Sequence, residues 1–481
     1  MSTDVDIEEL REQKICCDCV GEDFLGDQIS NTGKNATCSY CAEKEKCISV
    51  EELSERIETA FDQHYYRTSD QPTPLQYSML SDRESNYEWY REGQEVVMAI
   101  MDAASIPEKA ASDIQKILEE KYDDFDSAAM GEETEFSPDS HYEESGVDGG
   151  RWWADWEEFQ RSLKTESRFF NRSASSLLEE VFNGIDSMRT QGGRALIVDA
   201  GPDTEFTEVY RARSFQLNER LVESLGRPDM HLGSPPSTEA RAGRMNADGI
   251  SVFYGSNNPE TALAEIRPPV GCQVAVARFS FIQQIRLLDL TALSNVTTTG
   301  SIFDPTYIDL LEQTMFLRNL SSLITIPVMP DHETLEYLAT QAIADFLATE
   351  NAPLLDGILF PSVQTPDEGL NFVLFHKAAR VETIELPPGT RVDVDLGQIY
   401  EEGWEREYSV SEAVPPQKDE PKKGGFLDFD DEDFSLQSDL RPPTLKIDLG
   451  SVHIHLVKSV NYETKKYPVT RHRWETGNTD F

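Results

Sequence analysis

The stretch 209–267 opens Val209-Tyr-Arg-Ala-Arg213 and closes Val252-Phe-Tyr-Gly-Ser-Asn-Asn-Pro-Glu-Thr-Ala-Leu-Ala-Glu-Ile-Arg267. It sets Arg211 behind a tyrosine on a predicted strand and Glu265 in an otherwise apolar run with helical spacing. Further along, Asp356-Gly-Ile-Leu-Phe-Pro-Ser362 brings a serine to the end of another strand. A guanidinium, a carboxylate and a hydroxyl from separate elements predict a site assembled by folding. This trio suits a phosphorylated sugar better than a peptide or a lipid.

Strands and helices alternate irregularly around this stretch, which favours an α+β fold over a doubly wound sheet. No glycine-rich loop of the GxGxxG or GxxxxGK[ST] type is present in the sequence, so a nucleotide would be held differently from one in a Rossmann or P-loop protein. The predicted strands are 195–199, 208–213, 252–254, 273–281, 286–289, 357–360 and 372–374, and the predicted helices are 259–266, 305–321 and 333–350.

Several short motifs in this region agree in order and spacing with one known family. They are Tyr210-Arg211, Gly243-Arg244-Met245-Asn246-x-x-Gly249, Tyr254, Glu265, Asp356-Gly357-Ile358 and Pro361-Ser362. Together they resemble the RES domain, named for its Arg, Glu and Ser, over roughly residues 208–380. The resemblance implies an ADP-ribosyltransferase-like fold and the NAD-degrading activity of toxins from toxin–antitoxin pairs.

The resemblance also implies catalytic roles for three residues, Arg211, Glu265 and Ser362. Glu265 would hold the ribose hydroxyls and stabilise a developing oxocarbenium ion. Arg211 would grip the pyrophosphate or the ribose, with Arg213 as an alternative on the same strand face. Ser362 would hydrogen-bond the ribose or the amide of nicotinamide.

Three further residues are predicted to bind the substrate or to order the loop around it. Tyr254 would stack on the nicotinamide ring or close the pocket. Arg244 and Asn246 would contact the second phosphate, although each could equally be a turn-forming residue.

The sequence leaves open whether water, phosphate or a protein side chain accepts the ADP-ribose. These would make the enzyme a glycohydrolase, a phosphorylase or an ADP-ribosyltransferase. The predicted partners are NAD and an antitoxin or phage-derived trigger. A zinc-stabilised binding or sensor protein without turnover is the alternative.

The first 50 residues hold two CxxC motifs, Cys16-x-x-Cys19 and Cys38-x-x-Cys41. Two such knuckles at this separation predict a structural zinc site with four thiolate ligands. Cys17 could replace Cys16 as a ligand, because the two are adjacent. Disulfides are the alternative, which a cytoplasmic location disfavours.

Residues 51–190 are predicted to form a helical bundle, and they resemble the HEPN-like module found before some RES domains. The ribonuclease motif of many HEPN domains, Arg-x4-6-His, is missing from this stretch. An aromatic-rich helix at residues 151–170 is predicted to pack into the core. We therefore divide the chain into a zinc-knuckle segment at 1–50, the helical module at 51–190, the catalytic domain at 191–381 and a C-terminal part at 382–481.

The C-terminal part is predicted to begin with an acidic, disordered linker over residues 403–440. Two alternating stretches, 444–449 and 451–457, predict a short β-hairpin after it. His453 and His455 lie on one side of the second strand. They could ligate a metal, but a surface position is the favoured interpretation.

The net charge of −45, from 88 acidic and 43 basic residues, makes the chain repel nucleic acid and anionic membranes as a whole. Adaptation to high salt is an alternative explanation of this acidity. No apolar run approaches the roughly 20 residues of a membrane span. The start of the sequence lacks the features of a signal peptide. We expect a cytoplasmic protein without a nucleic-acid partner.

Overall fold

The apolar alternation of residues 273–281 forms a strand, as the sequence predicts, in the computed structural model of the chain. The structure describes residues 6–82, 86–124, 130, 132–146, 149–326, 328–365, 369–400, 403–416, 439–461 and 464–473. A search of the helices in these ranges finds none with the length and hydropathy of a membrane span.

The helices of the described residues are numbered here in chain order. They are α1 (Ile7–Glu12), α2 (Asp23–Thr32), α3 (Val50–His64), α4 (Pro74–Ser81), α5 (Val96–Ala104), α6 (Glu108–Tyr122), α7 (Gly150–Thr165), α8 (Arg172–Phe182), α9 (Asn218–Gly226), α10 (Pro228–His231), α11 (Pro259–Glu265), α12 (Leu290–Leu293), α13 (Tyr307–Thr325), α14 (Glu333–Glu336) and α15 (Leu338–Thr349).

The strands follow the same numbering and form sheets of two to nine strands. They are β1 (Lys14–Cys16), β2 (Lys34–Thr37), β3 (Lys44–Ser49), β4 (Tyr65–Arg67), β5 (Gln94–Glu95), β6 (His141–Glu144), β7 (Arg189–Thr190), β8 (Ile197–Ala200), β9 (Glu208–Phe215), β10 (Phe253–Ser256), β11 (Gln273–Phe281), β12 (Ile285–Asp289), β13 (Val296–Thr297), β14 (Gly357–Pro361), β15 (Leu370–Leu374), β16 (Arg391–Asp395), β17 (Gln398–Tyr400), β18 (Gly403–Glu405), β19 (Ser409–Ala413), β20 (Leu445–Ile447) and β21 (His453–Leu456).

The chain divides into two units whose boundaries differ from the predicted ones. The first unit holds the residues up to Val181 together with Ser187–Arg194 and Leu293–Ile324. The second holds Phe182–Asp186, Ala195–Ala292 and the residues from Thr325 onward. Residues 293–324 were predicted within the catalytic domain at 191–381, but they join the first unit because α13 stacks its aromatic face on α7.

One hydrophobic core of the first unit spans the predicted boundary between its first two segments. The predicted boundary at residue 50 does not appear, because Leu10 and Ile15 share this core with Ile57 and Ile114. The zinc-knuckle segment folds as the sheet β1-β3-β2 with α2. The helix α3 begins after Ser49, whose side chain accepts a hydrogen bond from the Glu52 amide.

Residues 51–190 contain strands as well as the predicted helices. The strands β4, β6 and β5 form a small antiparallel sheet within this range. Each has only two to four residues, which is too short to show the alternation that identifies a strand.

The aromatic-rich helix α7 packs into the core, as predicted. Trp152, Trp156 and Phe159 are buried. The ring of Phe316 on α13 lies 5.5 Å from that of Trp152 and 5.9 Å from that of Trp156. The helix ends at Thr165, five residues before its predicted end at residue 170. These contacts explain why the apolar face of α13 stays with the first unit.

The second unit is built on a nine-stranded mixed sheet in the order β20-β11-β9-β10-β15-β14-β12-β8, with β21 also paired to β11. Only the pair β12–β14 among its described strand pairs is parallel. Every strand predicted in this region is present, and β11 has the predicted bounds. The predicted helix at 333–350 is divided into α14 and α15.

The predicted C-terminal hairpin is wrong, because β20 and β21 pair with β11 instead of with each other. Leu445–Ile447 pairs with the end of β11 and His453–Leu456 with its beginning. Both therefore run along one edge of the sheet as an interrupted strand. The nine residues of β11 offer enough edge for both, and the chain between them makes only a short 3-10 turn. His453 and His455 are exposed on this edge, which fits the surface interpretation.

The predicted disordered linker is wrong in its first residues. The strands β18 and β19 lie within 403–440 and pair with β17 and β16. Strand pairing outweighs the polar composition here. Residues 417–438 of the predicted linker lie outside the described residues.

Candidate active site

Three neighbouring strands of the second unit and one short helix form the candidate site. Tyr210 on β9 pairs with Ser256 on β10, and Ser256 pairs with Asn371 on β15. The helix α11 follows β10 after two residues. Its first turn is capped by Asn258, whose side chain accepts a hydrogen bond of 2.7 Å from the Thr261 amide. This helix places Glu265 at its C-terminal end, over the strands.

A cavity of about 420 Å³ lies in this region of the second unit. Of the seven predicted catalytic and substrate-binding residues, four line the cavity: Arg211, Arg244, Tyr254 and Glu265. The other three, Arg213, Asn246 and Ser362, lie outside its wall.

Glu265 is anchored through one of its two carboxylate oxygens. Ser362 Oγ donates a hydrogen bond of 2.5 Å to Glu265 Oε1, and Asn371 Nδ2 donates one of 2.7 Å to the same atom. Among the described residues, none donates a hydrogen bond to Oε2. The carboxylate is therefore fixed on its inner side, and its second oxygen is available to a ligand.

Ser362 supports Glu265 and does not face the cavity. The side chain is buried, and its Oγ accepts hydrogen bonds of 3.1 and 3.2 Å from the amides of Gln364 and Thr365 while it donates to Glu265. The predicted contact of this hydroxyl with the substrate stays a prediction, and in the structure its proton is donated to Glu265. These contacts place the Ser362 hydroxyl against the carboxylate of Glu265.

Arg211 lies in an apolar setting with one nitrogen unused. Its Nη1 donates a hydrogen bond of 2.8 Å to the Tyr254 carbonyl, and its guanidinium carbon lies 4.9 Å from the centre of the Phe253 ring. The buried Nε has no hydrogen-bond partner among the described residues. Burial, together with the charge of nearby Arg213, lowers the pKa of Arg211 to about 9, so the group stays charged at pH 7. An anion in the cavity would offset this desolvation.

The other two predicted arginines have different roles. Arg213 Nη1 donates a hydrogen bond to the His231 carbonyl, and this contact holds its side chain away from the cavity. Arg244 lines the cavity, and its guanidinium carbon lies 5.1 Å from the centre of the Tyr337 ring. Its Nη2 donates a hydrogen bond of 2.7 Å to the Ile326 carbonyl. Arg244 is thus placed for an anion, and Arg213 is not.

Asn246 is a buried support for the cavity wall. Its amide group donates hydrogen bonds to the carbonyls of Arg241, Ala247 and Ile250 at 2.8, 3.2 and 3.0 Å. Its Oδ1 accepts one of 3.0 Å from the Tyr254 hydroxyl. Of the two predicted roles for Asn246, loop ordering is the one that these contacts support.

Tyr254 presents its ring to the cavity while its hydroxyl is used in the wall. The hydroxyl donates a hydrogen bond to Asn246 and accepts one of 3.2 Å from the Met245 amide. Burial raises the pKa of Tyr254 to about 12. The chain approaches this pair so closely at Gly243 that an added Cβ would lie 2.7 Å from Asn246 Oδ1. A glycine is therefore required at this turn.

Replacing Asn246 by Ala should lower the stability of the second unit by about 1 to 3 kcal/mol, because buried polar groups lose their partners. Thermal unfolding with intrinsic fluorescence measures this loss. The exposed Asn218 offers a matched control, Asn218→Ala. An unchanged melting temperature combined with weaker ligand binding would instead assign Asn246 to the ligand.

Sequence reasoning missed two residues of the site. Asn371 lines the cavity and contacts Glu265, and the signal for it was a lone amide in the buried strand 370–374. Arg267 also lines the cavity, two residues after Glu265, and its backbone has a positive φ of 44°. A charged residue immediately after the helix resembled an ordinary surface position, so no signal marked Arg267.

The four predicted zinc ligands come together in the first unit. The Sγ atoms of Cys16, Cys19, Cys38 and Cys41 all lie within 4.8 Å of one another. Cys16 and Cys41 are 3.6 Å apart, and Cys19 and Cys38 are 3.8 Å apart. Four thiolates about 2.3 Å from a tetrahedral zinc ion would be about 3.8 Å from each other, so the cluster fits zinc.

The cluster also decides between Cys16 and Cys17. The Cys17 thiol points to Asp18 Oδ1, 3.7 Å away, and is not part of the cluster. Four protein ligands leave no open position for a substrate, which is typical of a structural site.

The comparisons with known proteins find one family model that matches part of this chain. A family model described as RES domain matches residues 209–395. Neither the curated proteins nor the solved structures that were searched contain a match. The matched range extends beyond the predicted end at residue 381 and includes β16. The HEPN-type resemblance and the ADP-ribosyltransferase-like fold stay predictions. The chain contains a RES domain at residues 209–395.

Proposed function

We propose that the RES domain of this protein cleaves the nicotinamide–ribose bond of NAD, as a glycohydrolase or a phosphorylase. The observation that carries this proposal is the anchored carboxylate of Glu265, whose Oε2 is available in a cavity that Arg211, Arg244 and Arg267 also line. The cavity thus offers a fixed negative charge beside several positive ones. NAD has the complementary arrangement, because its pyrophosphate is negative and its nicotinamide ribose gains positive charge as the bond breaks.

The reaction requires little of the protein beyond charge and position. The bond between ribose C1′ and the nicotinamide nitrogen breaks, and its electron pair goes to the pyridinium ring, which leaves as neutral nicotinamide. Glu265 would stabilise the cationic ribose that remains. Water or phosphate then bonds to C1′, and water loses its proton to solvent. Tyr254 would pack its ring against the nicotinamide.

The cavity is rich in positively charged side chains, although the whole chain is strongly acidic. The protein carries a net charge of −45, yet three guanidinium groups line this one cavity against two carboxylates, Glu265 and Glu333. A guanidinium fork matches two phosphate oxygens at once. The site therefore favours a ligand with phosphate groups, which supports a dinucleotide over a neutral sugar.

Purified protein mixed with NAD tests the proposal directly. Proton NMR should show free nicotinamide together with ADP-ribose in phosphate-free buffer, or with a phosphorylated ADP-ribose when phosphate is the acceptor. NAD that stays intact under both conditions would contradict the proposal and favour a binding or sensor protein. Transfer of ADP-ribose to a protein, detected by mass spectrometry, would identify the ADP-ribosyltransferase alternative.

Replacing Arg211 by Lys should raise the KM for NAD about tenfold, because an ammonium group keeps the charge but loses the bidentate contact. The matched control is Arg213→Lys on the same strand face, outside the cavity wall. Steady-state kinetics of nicotinamide release would give both values. An equal rise in KM for the two variants would contradict a direct contact between Arg211 and NAD.

We also propose that the four cysteines bind a structural zinc ion, which would fix the two knuckles of the first unit. The fit of the sulfur positions supports this assignment. A toxin or defence effector is the biological role that we propose for the NAD-degrading activity, and an antitoxin or a phage-derived trigger is the proposed partner.

A further inference from the structure

A chain of hydrogen bonds connects the cavity floor to the candidate catalytic carboxylate. Ser256 Oγ donates a bond of 2.8 Å to Asn371 Oδ1, and Asn371 Nδ2 donates one of 2.7 Å to Glu265 Oε1. Ser256 and Asn371 are both buried and stand opposite each other on paired strands. The serine hydroxyl therefore fixes which end of the amide faces Glu265.

The helix that carries Glu265 packs through Ala262, Leu263 and Ile266 on apolar residues of β9 and β11, and polar contacts add to this packing. Thr261 Oγ1 lies 2.8 Å from Thr365 Oγ1, which ties the first turn of α11 to the loop after β14. At the end of the helix, the carboxylate itself is held by Ser362 and Asn371. Ser362 directly follows β14 and Asn371 lies on β15, so together the two donors fix the plane of the carboxylate as well as its distance.

We propose that Asn371, oriented by Ser256, is a positioning residue that holds Glu265 so that Oε2 faces the reacting ribose. This inference rests on the proposed function, because it assigns a role within the same reaction. Asn371 touches the cavity, but both ends of its amide are used within the protein. It therefore acts on the substrate through Glu265.

A donor at this position matters because a carboxylate can rotate. Without Asn371, the Ser362 hydroxyl alone would hold Oε1, and rotation about one hydrogen bond would swing Oε2 away from its place. Hydrogen bonds to charged groups are the stronger ones in proteins, so their loss costs more than that of a neutral pair. The kcat should respond while the KM for NAD stays nearly constant, because the groups that would bind phosphate are untouched.

The test compares Asn371→Ala with Asn371→Asp across pH. Asn371→Ala should lower kcat at least tenfold at every pH, with less than a threefold change in KM. In Asn371→Asp, the introduced carboxyl group and Glu265 would share one proton at low pH. That proton would supply the hydrogen bond that the amide supplied, so kcat should return to within threefold of the parent value.

At higher pH the shared proton of Asn371→Asp is lost, and two negative charges then repel each other. Its kcat should therefore fall at least tenfold, with a midpoint well above the ordinary carboxyl range near pH 4. The parent protein and Asn371→Ala should lack this step. If Asn371 had only a structural role, the kcat of both variants would fall equally, and the kcat of Asn371→Asp would not recover at low pH.

Two controls separate the possible failures. Asn218→Asp introduces the same change at an exposed position and should keep the parent pH profile. Ser256→Ala should lower kcat less than Asn371→Ala, because the amide keeps one partner. A parent protein that leaves NAD intact would overturn the proposed function. A parent that cleaves NAD while Asn371→Ala keeps its kcat would overturn this inference alone.

Discussion

Glu265→Gln should lower the rate of nicotinamide release from NAD by about 100- to 1,000-fold, the usual effect of removing one electrostatic stabiliser from an active site. Gln has the same shape as Glu, and its amide oxygen can accept the bonds that Ser362 and Asn371 donate to Oε1. The variant should keep its fold and its affinity for NAD. Only the negative charge facing the ribose is lost.

The matched control for this change lies on the same helix. Glu260 is an exposed residue in the first turn of α11 and does not line the candidate cavity. Glu260→Gln should leave the rate of nicotinamide release within twofold of the parent. Stopped-time assays with separation of nicotinamide by chromatography measure both variants. If Glu265→Gln keeps more than about a tenth of the activity, the carboxylate is not the transition-state stabiliser.

Cys41→Ser should release the metal and lower the melting temperature of the first unit by about 10 °C or more, because the binding energy of a structural zinc ion is part of the folding energy. Cys41 is exposed, so the substitution disturbs no packed side chain. Elemental analysis should find a single zinc ion per parent chain and little or none in the variant.

The loss should spread beyond the knuckles themselves. Tyr40 lies between two of the ligands in sequence and donates a hydrogen bond of 3.2 Å to Asp113 on α6. The residues around the cluster also pack on the core that α3 and α5 share. Unfolding of the knuckles would therefore expose part of this core.

Cys17→Ser serves as the control for the zinc prediction, since Cys17 is adjacent to a ligand but outside the cluster. It should keep the zinc and the parent melting temperature. Parent protein that is purified without metal and melts at the same temperature in chelator would contradict the structural zinc site.

The sequence predicted the sheet of the second unit well, because its strands are buried and their patterns are local. The alternation of residues 273–281 gave the bounds of β11, and the helix predicted at 259–266 has the same first residue as α11. Cysteine spacing likewise predicted the four-thiolate cluster. These signals each depend on a few neighbouring residues.

What the sequence missed depends on contacts between distant residues. The strands β20 and β21 alternate as a hairpin would, and only the length of β11 lets both pair with its edge. Likewise, the helix α13 carries an ordinary apolar face, and nothing in its own pattern indicates that Phe316 stacks on Trp152.

The candidate site shows the same division. The motif residues identified Arg211 and Glu265 as residues of one cavity, but they did not indicate that Ser362 donates a hydrogen bond to Glu265. A hydroxyl at a strand end can face a ligand or another side chain, and its direction is set by the position of α11. Asn371 was missed because its hydrogen bond to Glu265 forms only when β15 lies beside that helix.

A crystal structure of the Glu265→Gln variant with NAD would test the central claim most directly. We expect the ribose C1′ of the nicotinamide half beside residue 265, the nicotinamide ring against Tyr254, and pyrophosphate oxygens at Arg211 with Arg244 or Arg267. NAD bound elsewhere on the protein, or bound here with the nicotinamide ribose remote from residue 265, would contradict the account.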